Sequence, residues 1–327
     1  MDSEARLRLV AEAAKLRIDG TPIPLPSDSN DAWKIDELVL RICWRGDRTR
    51  LQREALILEH LPDDVPHVRL ADAGVHDDLT WTLTHWVSGN MLSHVWADLD
   101  RTQQRTAAEQ LGHALRGLHA WEPSPEVRAA LMARPAQPDY DDVIGTDLNP
   151  LLVDRALRLV EPATHLENVD QQLVVQLGEE IERLRPIDPL RNPSDGVVVH
   201  GDANLNNVIW DGMRLVALLD YEWGRLGPPD LELQPLLLSD DATALIRSVV
   251  DSHPGITAHP QFVERLWLYD LSATLRDLLV KAPLPATGDL PPWHPKRRLP
   301  MVLAGPGYIE ALLSENLTDQ RPLLRRP

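Results

Sequence analysis

Four polar residues near the middle of the chain have the types and spacing that phosphoryl transfer requires: His200, Asp202, Asn207 and Asp220. His200 follows the apolar run Val197–Val199 directly, and Asp220 follows a second apolar run. A carboxylate can accept the proton of a hydroxyl nucleophile, whereas a second carboxylate and an amide oxygen can hold Mg²⁺, which prefers oxygen ligands. The pattern therefore predicts a base at Asp202 and a metal site at Asn207 and Asp220.

These side chains need strands to bring them together, and the sequence predicts three of them, over residues 197–199, 206–210 and 214–219. The last two flank Asp211-Gly212, a pair typical of two-residue hairpin turns. With these two residues as the turn, Trp210 faces Met213. Counting outward then places Asp220 opposite Ala203, so we expect the hairpin to return Asp220 to the neighbourhood of Asp202 and Asn207.

The segment HGDANLNN resembles the catalytic loop of the aminoglycoside phosphotransferase family, which are small-molecule kinases with a protein-kinase-like fold. The segment LLDYEWGRLGPPDLEL is similar to that family's metal-binding segment and the acidic turn after it. Tyr221-Glu222 follows Asp220 where protein kinases have Phe-Gly, and no Ala-Pro-Glu occurs, so a small-molecule kinase is favoured over a protein kinase. The resemblance implies that His200 braces the loop by side-chain hydrogen bonding and that Glu232 supports it.

The resemblance also implies an α+β, two-lobed protein-kinase-like fold. We expect a small antiparallel-sheet N-lobe over residues 1–88 and a larger, mainly helical C-lobe over residues 89–327. The apolar periodicity predicts helices over 5–19, 48–61, 103–121, 151–159, 169–184 and 262–280. Residues 38–42, 65–68 and 80–86 are expected to be strands, the Pro-rich run 283–300 a loop, and residues 315–327 frayed.

In the small lobe, Arg41 and Glu54 match a kinase pair by their order and context. In kinases a cationic strand residue contacts the α- and β-phosphates and pairs with a helix glutamate. The family commonly has Lys at the position of Arg41, and Arg can donate to phosphate in a bidentate manner. An exposed ion pair between a strand and a helix is the alternative interpretation of these two residues.

The chain contains no Gly-x-Gly-x-x-Gly, so the nucleotide-covering loop must be the segment 27–31. That segment resembles the Gly-x-x-Asn loop of the family, with Asn30 at the Asn position and Ser27 replacing the Gly. The Ser29 hydroxyl and backbone N–H groups could donate to phosphate oxygens, although an ordinary Asx turn has the same composition. By position, the hinge that holds the nucleotide base is formed by four residues: Thr84, His85, Trp86 and Val87.

The composition restricts the partners. Lys and Arg total 33 and Asp and Glu total 50, which gives a net charge of −17. Such a surface repels nucleic acid and anionic membranes. The sequence has one cysteine, Cys43, no signal peptide, and no apolar run long enough to span a membrane. We expect a soluble cytoplasmic protein, and the oligomeric state stays open.

The sequence thus predicts transfer of the γ-phosphate of ATP or GTP, with Mg²⁺, to a hydroxyl of a small molecule. Glu222, Asp230 and Glu232 lie close in sequence to the catalytic segment and predict a cleft that attracts cations, so that an aminoglycoside-like antibiotic is one candidate acceptor. A metabolite acceptor of the choline or sugar type stays open. A catalytically silent nucleotide-binding protein is the alternative, because the covering loop lacks glycine and Arg41 replaces Lys.

Overall fold

The first sheet has five antiparallel strands in the order β1-β2-β3-β5-β4. The computed structural model describes residues 1–27, 30–132, 150–167, 169–191, 196–239, 241–281, 290–291 and 293–314. The strands of this sheet are β1 Ile23–Leu25, β2 Asp31–Ile35, β3 Leu38–Cys43, β4 Leu70–His76 and β5 Leu79–His85. This sheet confirms the antiparallel N-lobe that the sequence predicts.

Two helices accompany the sheet, α1 Ser3–Ala13 and α2 Arg50–His60. The predicted first helix is too long at its C-terminal end. Lys15 adopts a left-handed φ of 52°, and the N–H of Leu16 turns back to the Ala11 carbonyl at 2.8 Å. A helix cannot continue through a left-handed residue, so α1 ends at Ala13.

Most of the remaining chain is helical, as expected. Its α-helices are α3 Leu92–Val95, α4 Arg101–Ala120, α5 Pro125–Met132, α6 Val153–Thr164, α7 Gln171–Arg183, α8 Ala242–Ser252, α9 Phe262–Lys281, α10 Pro295–Leu303 and α11 Gly307–Leu313. The prediction of a loop over residues 283–300 is wrong in its last part, because α10 begins at Pro295. Proline is tolerated at the first position of a helix, since an N–H group there would have no partner within the helix. Residues 315–327, which we expect to be frayed, lie outside the described residues.

Residues 197–227 contribute to two small sheets. Strand β7 Val197–Val199 pairs with β10 Arg225–Gly227, and β8 Val208–Trp210 pairs with both β6 Asn90–Met91 and β9 Leu215–Leu218. Residues 65–68, predicted as a strand, form only an isolated parallel bridge to β9.

The β8–β9 hairpin has a different register from the predicted one. Trp210 pairs with Leu215, not with Met213, and the register shifts by one more residue between Ile209 and Trp210. The Asp211 carboxylate accepts the N–H groups of Met213 and Arg214, which moves the turn forward along the chain. The pairing of Val208 with Leu218 therefore continues toward Asn206 opposite Asp220, and the predicted Asp220–Ala203 pair is wrong.

Within the part of the chain that the structure describes, two hydrophobic cores hold these elements. The smaller includes residues of α1 and the first sheet, among them Val10, Leu40 and Ile42. The larger includes Ile57 and Leu58 of α2 together with the helices of the remaining chain. Helix α2 therefore packs against the larger core, which also includes Val198 and Val199 of β7. Within the described residues, none of the helices combines the length and the apolar character that crossing a membrane requires.

Candidate active site

The loop after β7 is held by a buried carboxylate. Glu232 accepts hydrogen bonds from the N–H groups of His200 and Gly201. Gly201 has a φ of 79°, and a Cβ there would lie 2.7 Å from the Trp223 carbonyl oxygen, so glycine is required. Burial opposes ionisation of Glu232, but hydrogen bonds and charges from His119 and His200 outweigh it and lower its pKa. The predicted support of the loop by Glu232 is confirmed.

The side chain of His200 connects the two ends of the site. Its Nε2 lies 2.8 Å from the Leu219 carbonyl oxygen, and its Nδ1 lies 3.3 Å from the N–H of Asp202. Because a carbonyl only accepts, Nε2 carries the proton and Nδ1 accepts from Asp202. His200 is fully buried, and burial lowers its pKa. The neutral ring therefore joins Asp202 to the residue before Asp220.

Two amides orient the carboxylate of Asp202. Asn204 Nδ2 donates to Oδ1 at 2.8 Å, and Asn207 Nδ2 donates to Oδ2 at 2.9 Å. Burial and the nearby charge of Asp220 raise the pKa of Asp202 to about 7, against the lowering effect of both amides. The carboxyl group can therefore gain or lose a proton near neutral pH, as a general base requires.

Asn204 is a site residue that the sequence interpretation missed. Its Oδ1 accepts the N–H of Asn206 while its Nδ2 holds Asp202. The signal in the sequence was the Asp-x-Asn spacing, because short amides commonly bond groups two residues away.

Asp220 has a left-handed backbone, with φ of 66° and ψ of 59°. A non-glycine residue adopts this conformation rarely, and such strain is concentrated at functional sites. The N–H of Leu219 donates to the Asn207 carbonyl at 2.8 Å, so the hairpin brings both predicted metal ligands to one end. The sequence predicted this neighbourhood although it had the wrong register.

Arg41 of β3 lies among three acidic side chains. Its Nη1 donates to both carboxylate oxygens of Glu54, at 2.7 and 2.6 Å, and its Nη2 donates to Asp220 at 2.7 Å and to Glu222 at 3.3 Å. Burial alone lowers the pKa of Arg41, but the three carboxylates outweigh it and raise the pKa well above its usual value. The predicted Arg41–Glu54 pair is present, and it is not an exposed surface pair.

Arg50 and Asn30 extend this network beyond the sequence prediction. Arg50 Nε lies 3.2 Å from Glu222, and its Nη2 donates to Asn30 Oδ1 at 2.9 Å. Asn30 Nδ2 in turn donates to Glu222 at 2.9 Å. The side chain of Asn30, which we expected to bind nucleotide, is thus buried against Glu222 at the end of the β1–β2 loop. No signal in the sequence links these three distant residues.

The other predicted nucleotide contacts fall at two places. Ser29 lies outside the described residues. The hinge residues lie at the end of β5 and directly after it. The N–H of His85 donates to the Arg69 carbonyl at 2.9 Å, and the N–H of Trp86 donates to the Glu37 carbonyl at 2.8 Å. Thr84 belongs to the sheet. Among these four, only Val87 has no backbone N–H bond inside the described structure.

The three carboxylates expected to attract a cationic acceptor are buried, with exposed fractions of 3% for Glu222, 2% for Asp230 and 0% for Glu232. Each has internal partners. Asp230 bonds Arg265 and Tyr269. Glu222 accepts from Asn30 and Arg41, and Glu232 accepts the N–H groups of His200 and Gly201. The expectation that they line an open cleft is therefore wrong. Their proximity in sequence gave no information on burial.

Asn207 and Asp220 fit the ligands expected for Mg²⁺. The amide nitrogen of Asn207 bonds to Asp202 and Arg41 bonds to Asp220 Oδ1, so Asn207 Oδ1 and Asp220 Oδ2 have no partner among the described residues. Mg²⁺ usually takes one or two protein oxygens together with phosphates and water. The described residues hold no cluster of three or more His, Cys, Asp and Glu suited to a metal, which is consistent with a site that the nucleotide completes.

Comparison with known proteins identifies similar folds. The family model described as the phosphotransferase enzyme family matches residues 23–283. The crystal structure of aminoglycoside phosphotransferase APH(4)-Ia is 18% identical, with a TM-score of 0.63, and the match covers 93% of this chain and 99% of that chain.

Two further solved structures are similar at comparable levels. The streptomycin–ATP ternary complex of APH(2")-IIa is 16% identical, with a TM-score of 0.61 over 85% of this chain and 90% of that chain. Aminoglycoside phosphotransferase APH(3'')-Id from Streptomyces rimosus is 17% identical, with a TM-score of 0.57, and the match covers 84% of this chain and 99% of that chain. At these identities the likeness concerns the fold. No curated protein sequence matches this chain.

Proposed function

Because this chain belongs to the phosphotransferase enzyme family, we propose that it transfers the γ-phosphoryl group of ATP or GTP to a hydroxyl of a small molecule. The observation that carries the proposal is the arrangement of Asp202, whose carboxylate is oriented by Asn204 and Asn207 beside Asp220. Phosphoryl transfer needs a positioned base and charge stabilisation, and this constellation can supply both.

Asp202 is the proposed base. Each of its carboxylate oxygens accepts one amide hydrogen bond, and each keeps a lone pair for another donor. The acceptor hydroxyl would donate its proton to one of these oxygens as the hydroxyl oxygen attacks the γ-phosphorus atom. The bond from that phosphorus to the β,γ-bridging oxygen would break at the same time, with ADP or GDP as the leaving group. His200 acts as a positioning residue, because its neutral ring fixes the backbone N–H of Asp202 and the carbonyl of Leu219.

Asn207 and Asp220 are the proposed Mg²⁺ ligands. The ion, when bound, would neutralise charge that develops on the phosphate oxygens. Arg41 is the proposed phosphate contact, and Glu54 positions its guanidinium with two hydrogen bonds. Arg41 can change its contact from Asp220 to a phosphate oxygen, because Glu54 is held separately by the N–H of Tyr221 at 3.1 Å.

The nucleotide base is proposed to bind at Val87. The N–H groups of His85 and Trp86 already have carbonyl partners, so the N–H of Val87 is the hinge donor available to the base. The boundary between the lobes is proposed at residue 88, directly after this residue. At Gly89 the backbone has a φ of 142° and passes close to the Trp210 carbonyl. A Cβ on this residue would lie 2.8 Å from the carbonyl oxygen.

The test is an incubation of the full chain with ATP or GTP, Mg²⁺ and a panel of hydroxylated acceptors. The panel includes streptomycin, which one of the similar structures contains, together with choline and simple sugars. Formation of ADP or GDP together with a product one phosphoryl group heavier supports the proposal. Asp202→Asn should bind nucleotide and form product more slowly by a factor of about 10²–10⁴.

A silent nucleotide-binding protein is the second candidate, and one observation favours it. Arg41 Nη2 bonds directly to Asp220 at 2.7 Å, so a cation on Asp220 must compete with a guanidinium. This candidate predicts nucleotide binding that is independent of Mg²⁺ and no product with any acceptor. Magnesium-dependent binding, measured by calorimetry, distinguishes the two.

A further inference from the structure

Glu222 is the second carboxylate of the segment that follows β9, and it lies two residues after Asp220 in a 3₁₀ turn over Tyr221–Trp223. The two carboxylates differ in accessibility. The side chain of Asp220 is 29% exposed, whereas that of Glu222 is 3% exposed. A cation that arrives from solvent with a nucleotide can therefore reach Asp220, while Glu222 is enclosed by protein.

Two side chains of the N-lobe hold the Glu222 carboxylate in place. Its Oε2 accepts from Asn30 Nδ2 at 2.9 Å and lies 3.2 Å from Arg50 Nε. Arg50 Nη2 in turn donates to Asn30 Oδ1 at 2.9 Å. Because Asn30 and Arg50 also bond each other, the position of Glu222 does not depend on its contact with Arg41.

The guanidinium of Arg41 has one fixed end and one divided end. Its Nη1 donates to both oxygens of Glu54, at 2.7 and 2.6 Å. Its Nη2 lies 2.7 Å from Asp220 Oδ1 and 3.3 Å from Glu222 Oε2. Hydrogen bonds from N–H to oxygen usually measure about 2.7–3.2 Å, so the contact with Glu222 can still shorten. A small rotation about the end that Glu54 holds would exchange the two contacts of Nη2.

Arg41 and a divalent cation would compete for Asp220. Two positive charges on one carboxylate repel each other, and a buried guanidinium that lost its anionic partner would be costly. Glu222 lies within reach of Nη2 and keeps its negative charge among fixed partners. It therefore offers Arg41 a second anionic partner that a cation at Asp220 does not occupy.

We propose that Glu222 is a positioning residue that receives the guanidinium of Arg41 when Mg²⁺ binds at Asp220. Nη2 moves from Asp220 Oδ1 toward Glu222 Oε2, and both oxygens of Asp220 then become available to the cation. The inference rests on the phosphotransferase function proposed above. It also accounts for the contact that favours a silent protein, because the Arg41–Asp220 bond becomes a resting contact that the chain can release.

A direct role of Glu222 as a second metal ligand is the alternative, because the Asp-x-Glu spacing places two carboxylates in one short segment. The geometry disfavours it. Oε2 of Glu222 already faces three nitrogen atoms, from Asn30, Arg41 and Arg50, and the side chain is almost completely buried. The two roles give different results when Arg41 is removed.

The test measures the Kd of ADP for the full chain by calorimetry, once with Mg²⁺ and once with EDTA, because ADP binds without turnover. The ratio of the two Kd values is the gain in affinity that Mg²⁺ provides. In Glu222→Gln the guanidinium loses its second anionic partner and stays on Asp220. We expect the gain to fall about tenfold, the equivalent of one charge-assisted hydrogen bond, with little change of the Kd in EDTA. A merely structural role would lower Tm and leave the gain unchanged.

Three further variants define the role. Glu59→Gln removes the same charge from an exposed position of α2 and should keep the wild-type gain. Glu222→Asp retains the anion and should keep more of the gain than Glu222→Gln, a comparison that needs no change at Arg41. In the Arg41→Met background the competitor is absent, so adding Glu222→Gln should leave the gain unchanged.

A wild-type gain in Glu222→Gln would overturn the inference. A further fall when Glu222→Gln is added to Arg41→Met would also overturn it, because only a direct ligand predicts that result. Equal losses in Glu222→Asp and Glu222→Gln would show that the anion is not what matters. Phosphoryl transfer from ATP is measured separately, so an active kinase whose Mg²⁺ gain is insensitive to Glu222→Gln keeps the proposed function and loses this inference.

Discussion

The guanidinium of Arg41 donates from Nη2 to Asp220 Oδ1 at 2.7 Å, across 179 positions of the chain. Through this contact the third strand of the N-lobe is bonded to Asp220, which lies two residues after the end of β9. The same guanidinium holds Glu54 of α2 with two hydrogen bonds. One side chain therefore joins β3, α2 and the segment after β9.

Removal of Arg41 should destabilise the protein. Its side chain is 15% exposed and that of Glu54 is 2% exposed, so Arg41→Met leaves buried carboxylates without their partner. Breaking a buried ion pair in this way costs about 3–5 kcal/mol of the free energy of unfolding. The measurement is urea unfolding. Glu54→Gln added to Arg41→Met should recover part of the loss, and wild-type stability of the single variant would contradict the network.

Asp202→Asn should reduce kcat and leave the nucleotide Kd unchanged. A positioned base contributes a factor of about 10²–10⁴ in rate, and the amide cannot accept the proton. Steady-state kinetics and calorimetry measure the two quantities. Asp63→Asn, at a side chain that is 97% exposed, is the control. A variant with most of the wild-type kcat would remove Asp202 from the role of base.

The rate should rise with pH through neutrality. Burial and Asp220 raise the pKa of Asp202 to about 7. Below this pH the carboxyl group is protonated and cannot act as a base, so kcat/KM should show an acidic limb near pH 7.

Asn204→Ala should move this acidic limb to higher pH. The hydrogen bond from Asn204 stabilises the charged form of Asp202, so its loss raises the pKa further. The pH profile of kcat/KM tests the shift. Superimposable profiles of the variant and the wild type would show that Asn204 does not tune the base.

Glu232→Gln should lower kcat with little change in nucleotide KM. The amide has one acceptor oxygen, so the N–H of His200 or of Gly201 loses a partner inside the core. An unsatisfied buried group costs about 1–3 kcal/mol, and the loop that carries Asp202 would lose its fixed position. Glu264→Gln on the exposed side of α9 is the control. Equal kcat in both variants would argue against positioning by Glu232.

The Asp-Gly pair predicted the correct hairpin but the wrong register. Hairpin propensity is a local property, so the existence of β8 and β9 followed from the sequence. The turn itself depends on the Asp211 side chain, which accepts two N–H groups, and on a bulge beside Trp210. A count of spacing along the sequence shows neither the hydrogen bonds that the Asp211 side chain accepts nor the bulge.

By itself, the sequence determined the loop after β7, because His200, Asp202 and Asn207 lie within one short segment whose spacing sets their geometry. It also determined the order of Arg41 and Glu54, as a strand residue followed by a helix residue. Only the tertiary structure decided that Glu222 is buried against Arg41. Burial and pairing of distant charges depend on how the elements pack, since a carboxylate close in sequence to the site can face either the core or water.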